Sequence, residues 1–91
     1  MLNPLFELGL MCITPSAKDE LQALGYDYQL LLHRHRRGDF GDLEPEDIEA
    51  NKQAIIDGSR IFSAYILGDT KFWCIAEADR SSTTILLPSE Y

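Results

Sequence analysis

The densest group of cationic and titratable side chains is His33-Arg34-His35-Arg36-Arg37, two imidazoles and three guanidinium groups in five consecutive positions. Imidazole serves as acid, base or metal ligand, and guanidinium recognises phosphate or carboxylate through paired N–H donors. On a helix successive residues turn by about 100°, so His33 and His35 point about 200° apart and cannot share a metal without further ligands. His35 falls on the apolar side of such a helix. A core imidazole hydrogen-bonded to a nearby carboxylate, with Asp39 the candidate, is the plainer expectation, and a catalytic base the sharper one. The three arginines could bind phosphate, but beside an acidic neighbour they are expected to form an intramolecular zone of ion pairs.

A second polar group is Glu77-Ala78-Asp79-Arg80-Ser81-Ser82-Thr83-Thr84. Arg80 with the hydroxyls could hold an anion, and Glu77 could act as general acid or base. The plainer reading is a turn, shaped by Asp79 and the serines, with Arg80 paired to Glu77 or Asp79. A small nuclease or transferase would need His35, Glu77 and Arg80 to converge in one cleft. The sequence has no Ser-His-Asp pattern, phosphate loop or HExxH helix. No cofactor and no metal site are expected.

The third group is acidic. Asp39, Asp42, Glu44, Glu46, Asp47 and Glu49 place six carboxylates in eleven residues. Such a run is either a solvated helix face or a set of charges that imitates phosphates and attracts the basic groove of a nucleic-acid-binding protein. Some of these acids serve as helix-start residues, so only outward-facing ones can contribute; Asp42, Glu44, Glu46 and Glu49 are the candidate contacts. The net charge of −7 argues against general affinity for nucleic acid or anionic membrane. Residues 1–32 carry −3, residues 33–38 carry +3, residues 39–58 carry −6 and residues 59–91 carry −1.

The elements that must position these groups are readable in order. Ninety-one residues make a single domain, 1–91, with one modest core. No apolar run is long enough to span a bilayer, and the opening Met1-Leu2-Asn3-Pro4-Leu5-Phe6-Glu7 lacks a basic region followed by an apolar stretch, so a cytoplasmic protein is expected. Cys12 and Cys74 lie in apolar runs and are expected as buried free thiols. Glu7–Thr14 reads as a strand covered on both faces. A helix follows, started by Thr14 with Pro15 or by Ser16 with Asp19, and stopped by Gly25. Asp27 caps a second helix through Arg37, with Tyr28, Leu31, Leu32 and His35 on its apolar side. Phe40 tucks back into the core. Glu44-Pro45-Glu46-Asp47 starts a third helix that ends at Gly58, and Asn51 on its apolar face needs partners, for which the backbone of a neighbouring turn is the candidate. Arg60–Leu67, Lys71–Ala78 and Thr83–Leu87 alternate as strands joined by Gly68-Asp69-Thr70 and Asp79–Ser82. The fold class is α+β: three short helices packed on a mainly antiparallel sheet of three to four strands, ending in a three-stranded meander. The first strand joins at an edge or beside the meander.

From about residue 33 to residue 91 the chain resembles a family of small bacterial proteins carried on plasmids and other mobile elements. The matching positions are His35, Gly38-Asp39-Phe40-Gly41, Leu43, Asp47, Asn51, Ala54, Gly58, Arg60 and Ser63-Ala64-Tyr65. They continue through Lys71, Trp73, Glu77, Asp79-Arg80-Ser81, Thr83-Thr84, Leu86-Leu87-Pro88 and Glu90-Tyr91. Phe40 stands where tryptophan is usual in that family, a change of bulk rather than character. The resemblance brings no established activity. It implies a context in which small proteins inhibit host defence, such as CRISPR–Cas or restriction, or act as toxin and antitoxin partners. The expected partner is then a basic nucleic-acid-binding protein or nuclease complex of the host, without direct binding to nucleic acid or membrane.

Overall fold

Each helix begins where a capping side chain accepts from a first-turn amide or a proline removes one of the amides that would lack a partner. The computed structural model describes residues 4–91; the part of the N-terminal reading that falls on residues 1–3 lies outside them. Thr14 is the residue that caps α1 (Pro15–Leu24), accepting from the Ala17 amide at 3.3 Å. Asp27 caps α2 (Tyr28–Arg36), accepting from the Gln29 amide at 2.9 Å. Pro45 opens α3 (Pro45–Asp57), with Glu46 and Asp47 in the first turn, where the helix dipole favours negative charge. Gly25 and Gly58 end α1 and α3 in the left-handed conformation.

The strands are β1 (Leu10–Ile13), β2 (Ile61–Leu67), β3 (Thr70–Ala76) and β4 (Ser82–Leu86), followed by a 3-10 turn at Pro88–Glu90. They form one sheet in the order β1-β4-β3-β2. β2, β3 and β4 make the expected antiparallel meander, and β1 adds to its edge parallel to β4, so the sheet is mixed. The domain is α+β: α1 lies against β4, α2 against β3 and α3 against β2. No helix among the described residues is long and apolar enough to cross a membrane.

Register decides which half of each alternating strand looks inward. Tyr65 pairs with Phe72, Ser63 with Cys74 and Ile61 with Ala76, while Cys74 and Ala76 pair onward with Ile85 and Thr83. Paired residues share a face of the sheet, and all eight of these are fully buried under the helices. They meet Leu21, Leu31, Leu32, Phe40 and Ala54 in one core. The Cys74 thiol is buried there, and burial pushes its pKa well above the usual range. The opposite face carries Phe62 and Trp73, packed edge to face at 5.0 Å, with Tyr91 against Trp73 at 5.6 Å.

The first strand departs from its expectation. Gly9 has φ +66°, which bends the chain out of extended geometry, so the strand starts at Leu10 and not at Glu7. A Cβ on Gly9 would collide with the backbone of Arg80 and Ser81. Because β1 is an edge strand it is not covered on both faces: Leu10 is 69% exposed and Met11 59%. Cys12 is a free thiol there, half-buried and not fully enclosed.

Candidate functional site

The acidic segment divides into groups that hold the fold and groups that face solvent. Asp39 accepts from Arg34 through both oxygens, at 2.7 and 3.3 Å, and from the Gly41 amide at 3.2 Å. The Arg34 guanidinium holds the Asp39 carboxyl below the usual carboxylate range and also sits 4.5 Å from the Tyr65 ring centre. Asp42 is exposed, yet its Oδ2 accepts from the Ile66 amide at 2.9 Å on the outer edge of β2. Glu49 pairs with Lys52 at 3.1 Å, one turn along α3. Glu44, Glu46 and Asp47 are exposed and make no side-chain hydrogen bond or ion pair among the described residues. Glu46 and Glu49 are three positions apart, so they point within about 60° of one another, opposite the buried Asn51. The segment therefore presents a cluster of carboxylates at the N-terminal end of α3.

Asn51 anchors that helix. Its Oδ1 accepts from the Phe62 amide at 3.0 Å and its Nδ2 donates to the Phe62 carbonyl at 2.6 Å. The partners lie on the edge of β2 and not in a turn, because α3 runs beside that strand. Asn51→Leu should cost about 2–3 kcal/mol by leaving both backbone groups of Phe62 unmet in a partly buried place. Urea unfolding measures this, and an unchanged midpoint would show that water replaces the amide. Gly41 is as constrained: it has φ +76°, and a Cβ would strike the Ala64 carbonyl and the Tyr65 ring.

His35 is a core histidine, but its partner is not Asp39. Its Nδ1 shares a hydrogen bond with Ser63 Oγ at 2.5 Å, and Phe6 meets its ring edge to face at 5.1 Å. Asp39 is taken by Arg34, one turn of backbone away on the exposed side. Nε2 of His35 is buried with no partner. Burial, reinforced by the nearby Arg80 cation, lowers the imidazole pKa to about 3. His35 is thus neutral at pH 7 and poorly matched to general-base work there.

Arg80 does not pair with Glu77 or Asp79 through their carboxylates. Its Nη1 donates to the carbonyls of Ser59 at 2.7 Å, Glu77 at 2.9 Å and Ala78 at 3.1 Å, and its Nη2 donates to Ala54 at 3.0 Å. The Glu77 carboxylate faces Arg60 instead, at 3.6 Å. Arg80 ties the last turn of α3 to the β3–β4 turn, and it does so from a left-handed backbone at φ +59°. Phe6, which meets the His35 ring, also lies with its ring centre 5.7 Å from the Arg80 guanidinium. His35, Glu77 and Arg80 are not brought together in one open cleft.

Among the described residues the basic cluster supplies one ion pair, Arg34 with Asp39, in place of the expected zone of them. Arg36 and Arg37 make no ion pair among the described residues, and no group of three His, Cys, Asp or Glu side chains there could hold a metal ion. Two features escaped sequence reasoning: the fourfold carbonyl grip of Arg80 and the Ser63–His35 pair. A charged residue in a turn is too common to signal the first, and the second joins residues 28 positions apart. Comparison with models of known families, with curated proteins and with solved structures found no match to this chain.

Proposed function

We propose that this is a small acidic binding protein of a mobile element that inhibits a host defence nuclease complex, of anti-CRISPR or anti-restriction type, by imitating nucleic acid. The observation that supports the reading is the carboxylate surface at the start of α3: Glu44, Glu46 and Asp47 are exposed and without a partner among the described residues. Glu49 adjoins them, held by a weak, largely exposed pair with Lys52. Fixed on a helix that Asn51 locks to the sheet, these charges are preorganised for a Lys/Arg-rich groove. The mobile-element context rests on the family resemblance.

The test is binding to the host's restriction or CRISPR effector complex at two salt concentrations. Reversing Glu44, Glu46 and Glu49 to lysine should weaken binding by about 100-fold or more, and raising salt should weaken the parent protein likewise. Asp42→Asn keeps an acceptor for the Ile66 amide while removing the charge, so it should lose affinity without losing stability. Affinity that ignores both the reversal and the salt would sink the proposal. Growth arrest on expression alone, with no phage or plasmid challenge, would favour a toxin–antitoxin role. A nuclease or transferase built on His35, Glu77 and Arg80 has no comparable support, since each of these side chains is engaged within the fold.

A further inference from the structure

The two edges of the sheet are finished differently. Along β2 the outward backbone groups are met from within the chain. Asn51 takes both groups of Phe62, the Ala64 amide donates to Phe40, the Ala64 carbonyl accepts from Asp42, and the Asp42 carboxylate takes the Ile66 amide. Such cover is the usual protection against pairing with another chain.

Among the described residues β1 has no such cover. The amides of Leu10 and Thr14 donate inward to Ser81 and Ile85, both at 3.0 Å. The period of two in a strand then turns the N–H and C=O groups of Met11 and Ile13 outward. Among the described residues none of these four groups has a backbone partner outside the β1–β4 ladder. Beside this edge a groove of about 460 Å³ runs between β1 and α2. Its apolar wall includes Met11, Ile13, Tyr28 and Leu32, and its polar lining includes His33 and Arg36.

We propose that the β1 edge docks an extended, carboxylate-bearing segment of a partner protein, which adds to the sheet as a fifth strand. Its backbone pairs with Met11 and Ile13, an apolar side chain enters the groove, and a carboxylate meets Arg36. Backbone pairing gives such strand addition its affinity, and side-chain pockets at alternate positions give its specificity. Charge selects the occupant. In a chain of net charge −7, the groove borders the one segment of net charge +3, and Arg36 has no ion pair among the described residues. This surface is separate from the acidic one and does not rest on the function proposed above.

The experiment is selection of a displayed library of random octapeptides on the full chain, followed by anisotropy titration of the enriched peptides. Enrichment of alternating apolar sequences carrying aspartate or glutamate is expected. Arg36→Glu should weaken them about tenfold or more, and replacing their acids by amides should do the same. Met11→Pro removes an outward amide, at a place where an edge strand tolerates proline, together with the methionine side chain of the groove wall, so it should abolish binding while leaving the thermal midpoint nearly unchanged. Protection of the Met11 and Ile13 amides from hydrogen exchange on binding would support the pairing directly. No enrichment, enrichment without acids, or equal binding by Met11→Pro would overturn the proposal. So would a concentration-dependent dimer that Met11→Pro dissolves, because the edge would then belong to a second copy of this chain.

Discussion

Replacing Arg80 by methionine is expected to lower stability by about 2–4 kcal/mol, the range for removing several charge-assisted hydrogen bonds from one partly buried cluster. Four carbonyls lose the guanidinium at once: Ser59 before β2 and Ala78 in the β3–β4 turn lose it as their donor, while Ala54 at the end of α3 and Glu77 keep backbone donors. The Ala54 carbonyl lies at the negative pole of α3, so the lost guanidinium charge also removes a favourable dipole interaction. For a domain of this size the thermal midpoint should fall by roughly 10 °C or more. Arg80→Lys should rescue little, since one compact ammonium cannot span four acceptors. Arg80→Gly gives an internal control. It loses the same bonds but relaxes the left-handed backbone at φ +59°, so it should be less damaging than methionine by about 1 kcal/mol. If Arg80 were an anion-binding residue with no role in the fold, all three variants would unfold at the parent midpoint.

Acidification should destabilise the protein well above the pH at which carboxylates titrate, and His35 is the cause. Its imidazole is held to a pKa of about 3 in the folded chain, whereas an unfolded histidine titrates near 6.5. Below about pH 6.5 the unfolded chain takes up a proton that the folded chain refuses. The stability contributed by the neutral, buried ring is therefore complete above that pH. It is lost at up to about 1.4 kcal/mol per pH unit as the pH falls toward 3. Urea unfolding at pH 6.5 and at pH 5 should differ by about 2 kcal/mol. Asp39, whose pKa is lowered by Arg34, adds to the loss only at lower pH, in and below the ordinary carboxylate range. His35→Gln keeps a polar partner for Ser63 but cannot titrate, so its stability should be nearly flat across the same interval. Equal slopes for the parent and the variant would mean that the ring is hydrated and free to charge.

The two effects share a location. Phe6 packs against both the His35 ring and the Arg80 guanidinium, and the Arg80 cation opposes protonation of His35. Loss of Arg80 should therefore ease the protonation of His35 as well as weaken the α3 junction. The residues most suggestive of catalysis in the sequence are, in the folded chain, a neutral core ring and a carbonyl clamp. The acidic segment keeps its candidacy on different grounds, since Glu44, Glu46 and Asp47 are bound to nothing else among the described residues.

The sequence alone was enough for features governed by neighbours a few residues apart. Thr14-Pro15, Asp27 and Glu44-Pro45 start helices because a cap accepts from a first-turn amide or a proline removes one of the unpaired amides and presets the helical φ. Gly25 and Gly58 end them because only glycine turns left-handed without strain. Alternation marked β2, β3 and β4 and their turns, and the charge pattern marked the segment from Asp39 to Glu49. Asn51 was legible as a polar group in need of partners, though not which ones. What only the tertiary structure decided was every pairing across distance. The alternation of β2 offered Phe62 and Tyr65 equally, and the packing of three helices chose the face with Ile61, Ser63 and Tyr65 as the inner one. Asp42 reaches Ile66 across 24 positions, Arg80 reaches Ala54 across 26, and His35 reaches Ser63 across 28. Propensity and periodicity act through local backbone geometry, whereas these contacts exist only once β1 has joined β4 and the helices have closed over the meander. That closure turns His35 and Arg80 into parts of the scaffold and leaves Glu44, Glu46 and Asp47 facing outward.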